Sequence, residues 1–253
     1  MGAQGLLIPD NERLDILNDD GLCVLQKTDA FRFGTDSVLL ADFVKVKPGD
    51  RVVDLGTGTG VIAILIASRH PGVSIDALDI QPDMTEMAAR SVSLNAMSEI
   101  IKIHTLDMRG AAAFLGYGAY AVAVCNPPYC KAGGALTSQS ETRRIARHED
   151  ALTISDVAKA ASELLKVGGR FYAVFPAARM LELACALREY KLEPKRVRTV
   201  HDKIEKAPKL ILMDAVKWGG SQLHWMPPLI MNDGEGNPSE EWKRIYRLSP
   251  PGL

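Results

Sequence analysis

Short apolar runs alternate with longer stretches of helical spacing along most of the chain. Strand-like runs cover 52–55, 75–78, 100–103, 121–125 and 171–175. They are apolar at nearly every position, the pattern of strands buried on both faces of a parallel sheet. Between them, 61–69, 84–95, 154–165 and 178–189 space their apolar residues as helices do. Such alternation predicts an α/β fold, a doubly wound, mostly parallel sheet with helices on both faces. Two later runs, 196–200 and 209–216, follow each other without a helix and predict an antiparallel hairpin at the sheet edge.

Ahead of the sheet, 21–26 predicts a short strand, and Thr35 predicts the cap of a helix from 36 to about 44. Pro48-Gly49-Asp50 then turns the chain into the main domain. No repeat or low-complexity linker divides the sequence. It therefore reads as one core with two attachments: an N-terminal extension (1–47), the main domain (48–217) and a C-terminal extension (218–253). Residues 127–153 lack apolar periodicity, and a loop of that length in a compact domain usually carries function or is disordered. The tail reads equally as docked or unfolded.

Composition narrows the setting. The longest apolar stretch, 61–67, ends at Arg69 and His70 and is far too short to span a bilayer. The first residues lack the basic start and cleavage pattern of a secretory signal. Cys23, Cys125, Cys130 and Cys185 form no CxxC pair, which predicts reduced thiols, no zinc site and a cytoplasmic protein. Thirty basic residues balance thirty-one acidic ones, so a polyanionic partner must meet a local patch.

Candidate chemistry begins at Asp54-Leu55-Gly56-Thr57-Gly58-Thr59-Gly60, which leaves the first sheet strand and leads into the helix at 61. Glycines there let a ligand approach backbone at a helix N-terminus. The spacing of Gly56, Gly58 and Gly60 is GxGxG, not the GxGxxG of dinucleotide-binding folds. An acid opening the motif suits a ligand with a sulfonium and an amino group better than a pyrophosphate. Asp79 and Asp107 close the next two strands; Asp79 is placed as expected for a ribose contact, and Asp107 reads equally as an adenine contact or as a helix cap or solvated loop acid. Asp76, on the other face of its strand, reads as a surface charge.

The fourth sheet strand ends in Asn126-Pro127-Pro128-Tyr129. Paired prolines stiffen the turn, so the Asn126 side chain and the Pro127 carbonyl can offer two acceptors in one direction. Two acceptors on the hydrogens of a planar amino group localise its lone pair for in-line attack on a methyl donor. Tyr129 offers a stacking face for a planar substrate. No imidazole is required, which leaves His148, His201 and His224 without a catalytic part.

Taken together, residues 54–60 and 126–129 resemble the class I amino-methyltransferases that carry an NPPY motif. Glu12-Arg13-Leu14-Asp15, Phe31-Arg32-Phe33-Gly34-Thr35-Asp36-Ser37 and Ala146-Arg147-His148-Glu149 further resemble the bacterial adenine-N6 methyltransferases of the valine tRNA anticodon loop. The resemblance spans about residues 12–217 and implies a seven-stranded Rossmann-like sheet, S-adenosylmethionine as cofactor and RNA as partner. It implies Thr35 as a further cofactor contact. It leaves open rRNA amino groups, a protein glutamine, or a cofactor-binding scaffold without catalysis. Arg143, Arg144 and Arg147 follow the catalytic turn as candidate RNA contacts. Residues 188–217 hold nine basic and five acidic side chains, among them Lys195, Arg196 and Arg198, and read equally as an RNA track or a solvated charged face.

Overall fold

The computed structural model describes residues 8–28, 34–127 and 152–246. In chain order the elements are β1 (Glu12–Ile16), β2 (Cys23–Lys27), α1 (Thr35–Phe43), β3 (Arg51–Leu55), α2 (Val61–Arg69), β4 (Ser74–Asp79), α3 (Pro82–Leu94), β5 (Ile101–Thr105), α4 (Ala111–Leu115), β6 (Tyr120–Cys125), α5 (Ile154–Leu164), β7 (Leu165–Pro176), α6 (Met180–Glu189), β8 (Leu192–His201), β9 (Leu210–Lys217), β10 (His224–Trp225), β11 (Leu229–Ile230) and α7 (Glu240–Tyr246).

Side-chain alternation along each strand builds one core on each face of the sheet. Val52, Ile75, Val122, Val124, Tyr172 and Val174 face α1 and α2. Val53, Leu55, Leu78, Ala123, Phe171 and Phe175 face α5 and α6. Each fully buried aliphatic side chain contributes about 1.5–3 kcal/mol. Helix α2 packs against α1, and its residues from Val61 to Ala67 are all buried, which explains why its run is apolar all round.

Strands β5, β4, β3, β6 and β7 lie side by side in that order and run parallel. Strand β9 adds antiparallel to β7, and β8 antiparallel to β9. These seven strands make the expected sheet with its antiparallel hairpin. Strands β10 and β11, two residues each, pair parallel with β8 and cover part of its edge. They are too short to leave a period in the sequence.

Several expected boundaries move. Thr35 is the first residue of α1 and not its cap; Gly34 takes the cap position with extended backbone and no side-chain bond. Strand β7 begins at Leu165, six residues before the apolar run at 171, because Leu165 already pairs with Tyr120. The ladder is irregular before Val122 resumes pairing with Arg170, and a Cβ on Gly169 would lie 2.8 Å from the Lys166 carbonyl oxygen, so only glycine fits there. Helix α5 starts where expected because Thr153 and Asp156 form a reciprocal capping box.

The attachments dock. Strands β1 and β2 form an antiparallel pair against α3, where the Leu25 N–H donates to Ser91 Oγ and the Cys23 N–H to Asn95 Oδ1. Helix α7 is held by the Arg69 guanidinium on the Ile245 carbonyl at 2.8 Å and by two Arg198–Glu241 bonds of 2.7 and 2.9 Å. Among the described residues no helix is long and apolar enough to cross a membrane.

Candidate active site

Strand order reverses between β3 and β6, since β4 lies beyond β3 and β7 beyond β6. Connections from the two strands depart to opposite sides, which opens a crevice at their carboxyl ends. Leu55 pairs in register with Cys125, so Gly56 and Asn126 leave neighbouring strands at the same level. Adjacent strands are about 4.8 Å apart. The glycine run and the asparagine turn therefore meet at one point of the sheet edge.

The glycine loop is pinned on one side and open on the other. The Gly56 and Thr57 N–H groups both donate to the Leu78 carbonyl at 2.9 Å, and the Gly58 N–H donates to Asp79 Oδ2 at 3.0 Å. Gly56, Gly58 and Gly60 adopt φ of +75°, +55° and +87°, and a Cβ on Gly58 would meet nothing within 4 Å. Gly60 caps α2 without a side chain, so the helix N-terminus behind the loop has no side-chain cap.

Beneath the loop Asp54 is fully buried. Its Oδ2 accepts the Thr57 hydroxyl at 2.7 Å, while Oδ1 has no hydrogen bond among the described residues. Burial, aided by the charge of Asp79, pushes the Asp54 pKa up to about 7. A buried carboxyl with an unsatisfied oxygen below an open loop fits a cationic ligand end. Asp79 takes the Gly58 N–H on one oxygen and the Gln81 N–H on the other at 2.9 Å, and each oxygen keeps a lone pair for a hydroxyl.

Two apolar residues at the strand ends escaped the sequence reading. The Met108 methyl lies 3.7 Å from where a Gly56 Cβ would sit, and Ile80, directly after Asp79, is half exposed. Their only signal is an apolar residue next to a strand-end acid. Asp107 caps the 3-10 turn Met108–Gly110 and binds Arg109, whose side chain holds the Asp107 carboxyl below the usual carboxylate range. Asp76 is no isolated surface charge: it accepts from the Tyr120 hydroxyl at 2.7 Å and from Arg51 at 3.2 Å, and its Oδ1 lies 2.7 Å from His104 Nε2.

Asn126 is partly exposed and Pro127 buried. The Asn126 Nδ2 donates to Ser37 Oγ at 3.4 Å, which brings the first turn of α1 to the end of β6. Thr35 lies in that same turn, beside the Tyr246 hydroxyl of α7, a phenol whose pKa burial raises. Cys125 is buried, and its thiol donates to the Leu55 carbonyl at 3.1 Å. Pro128, Tyr129, Arg143, Arg144, Arg147 and His148 lie outside the described residues.

Part of the basic excess in 188–217 is committed to partners within the protein. Arg196 joins Arg170 on the buried Asp214, Arg198 holds Glu241, Arg188 holds Glu193, and Lys217 donates to the Ser162 and Leu165 carbonyls. Arg196 and Arg198 are mostly covered, whereas Arg188 and Lys206 stay more than half exposed.

A doubly wound sheet with an antiparallel hairpin strand, a glycine loop and strand-end acids beside the switch point defines a Rossmann-like methyltransferase. The chain belongs to the methyltransferase small domain family, whose model matches residues 31–190. A Porphyromonas gingivalis protein named tRNA1(Val) (adenine(37)-N6)-methyltransferase is 31% identical over 191 residues, 73% of this chain and 74% of that one. A Bacteroides thetaiotaomicron protein of the same name is 33% identical over 188 residues, 73% of this chain and 76% of that one. In fold, the chain is similar to an Agrobacterium tumefaciens protein described as a predicted O-methyltransferase, with a TM-score of 0.69 and 20% identity over 84% of this chain and 96% of that one.

Proposed function

We propose that this protein transfers the methyl group of S-adenosylmethionine to the exocyclic N6 amine of an adenine in RNA, in a tRNA anticodon loop. The observation that carries the reading is the Leu55–Cys125 register, by which the glycine loop and Asn126 flank one crevice. The names of the curated relatives supply the substrate class.

In this reading Gly56, Gly58 and Gly60 admit the cofactor against backbone, Asp79 takes the ribose hydroxyls, and Ile80 and Met108 flank the adenine. Asp107 reaches the adenine edge with the lone pairs that Arg109 leaves it. Asp54 balances the positive methionine end, with Thr35 on the opposite wall. The cofactor supplies an electrophilic methyl on a sulfonium. Asn126 Oδ1 and the Pro127 carbonyl accept the two N–H groups of the target amine, which shifts its lone pair out of conjugation and along the line of attack; as the N–C bond forms the S–C bond breaks, and the methylated nitrogen then loses one proton to solvent. Pro128 stiffens the turn, Tyr129 stacks on the base, and Arg143, Arg144 and Arg147 take phosphates beside it. An anticodon loop presents its bases unpaired, so no duplex has to be opened. A tRNA substrate carries with it a cytoplasmic location for the protein in this reading. The N-terminal and C-terminal extensions, 1–47 and 218–253, frame the 48–217 catalytic domain.

The test supplies labelled cofactor with unmodified tRNA, with rRNA and with a glutamine-bearing release factor in parallel. Label in tRNA N6-methyladenosine supports the reading. Label only in rRNA or protein glutamine replaces the substrate, and tight cofactor binding without any transfer leaves a scaffold.

A further inference from the structure

The far end of α1 carries an excess of positive charge. A cavity of about 320 Å³ opens where α1 and α2 end beside α7, and its charged lining is Lys45, Arg69, His70 and Arg244 against the single carboxylate of Asp42. Lys47 follows on the exposed turn into β3. The Lys45 carbonyl accepts the Tyr172 hydroxyl, and Tyr172 pairs across the sheet with Asp214. Arg170 and Arg196 share that one buried carboxylate, so the cationic surface continues from the cavity onto the sheet.

Part of this charge has internal work. Arg69 holds the Ile245 carbonyl and lies 3.8 Å from Asp42, and the carbonyl ends of α1 and α2 offset some of the remainder. The Lys45 and Lys47 side chains, by contrast, are exposed and bond to nothing among the described residues. Arg244 is 62% exposed and touches Asp42 at 3.3 Å and Glu241 at 3.8 Å. Exposed pairs of that kind are weak and screened, so its guanidinium can exchange a carboxylate for a phosphate at low cost. Even with Asp50 and Glu241 counted against it, the face stays net positive in a chain whose formal charge is −1.

We propose that this face docks the sugar-phosphate backbone of the RNA substrate, with Lys45, Lys47 and Arg244 as its phosphate contacts. A nearly neutral protein meets a polyanion through a local patch, and backbone contacts set the register in which a base is presented. The rise of about 1.5 Å per residue along α1 separates Ser37, beside Asn126, from Lys45 by about 12 Å. An RNA whose target base enters the crevice can therefore lay a neighbouring stretch of backbone across the end of α1. The inference rests on the proposed RNA substrate and adds the surface that holds it.

The experiment measures, with the full chain, the binding of unmodified tRNA across a range of salt concentrations and methyl transfer from labelled cofactor. In the double variant Lys45→Ala, Lys47→Ala, tRNA affinity is expected to fall at least about fivefold at low salt, and the slope of log K against log salt to become shallower by about one to two. KM for tRNA should rise while kcat at saturating tRNA, cofactor affinity and Tm stay unchanged. Lys45→Glu should weaken binding further, and Lys45→Arg should retain it. Lys206→Ala, at the hairpin turn where the lysine pairs with Asp202, serves as the control and should leave tRNA affinity unchanged. Wild-type affinity and salt slope in the double variant, or an equal loss in Lys206→Ala, overturns the inference. A wild-type protein that binds no tRNA would instead overturn the functional reading beneath it.

Discussion

The Gly58 N–H donates to Asp79 Oδ2 at 3.0 Å and so ties the loop after β3 to the end of β4. Asp79 also receives the Gln81 N–H, so one carboxylate fixes both the glycine loop and the approach to α3. Asp79→Ala is expected to weaken cofactor binding at least about tenfold, and the stranded N–H groups should cost stability of about 1–3 kcal/mol. Calorimetric titration and thermal unfolding read the two effects separately. Unchanged affinity would remove Asp79 from the pocket.

Gly58→Ala should act mainly on the ligand. At φ +55° an added Cβ costs about 1–2 kcal/mol in backbone strain, yet no protein atom lies within 4 Å to clash with it. The methyl instead enters the space where the cofactor is proposed to lie. A modest drop in Tm with a large loss of cofactor affinity is expected, and a drop in Tm alone would place the ligand elsewhere.

Asp54, in its proposed place at the methionine end, is expected to make cofactor binding depend on pH. Its pKa in the folded protein, about 7, lies above the unfolded value of about 4. Between those values the folded state holds the extra proton, so this group's contribution to stability is greatest at low pH and declines as pH rises to about 7. A cationic ligand favours the ionised form, so affinity should rise with pH up to about 7 and binding at pH 6 should release protons. Asp54→Asn should flatten both profiles. Wild-type pH dependence in Asp54→Asn would assign the effect to another group.

Arg198 separates internal ion pairing from RNA contact. Its fork grips Glu241 and its Nε donates to the Pro227 carbonyl. Arg198→Ala is therefore expected to lower stability by about 1 kcal/mol and loosen α7, with the KM for tRNA unchanged. A raised KM at an unchanged Tm would return Arg198 to the RNA surface.

Strands β3, β4 and β6 and helix α2 were legible in the sequence because each carries a short apolar run, unbroken in β6 and most of α2 and interrupted by one acid within 52–55 and 75–78. The glycine loop and Asn126 were legible because rigid turns use few residue types. What escaped depends on contacts distant in sequence. Ser37 shows its partner only once α1 lies beside β6, and Met108 comes near Gly56 only when the turn after β5 approaches the end of β3. Arg196 reads equally as a phosphate ligand or a solvated charge until the hairpin brings Asp214 beneath it. Strand β1, with three charged residues in five positions, needs β2 to give it a partner.

The most direct test compares wild-type protein with Asn126→Ala in single-turnover transfer of labelled methyl to unmodified tRNA, followed by nucleoside analysis. The account predicts label in N6-methyladenosine for the wild type and at least about a hundredfold slower transfer for the variant, with cofactor affinity retained. Equal rates in the two proteins, or label in a nucleoside other than N6-methyladenosine, would contradict it.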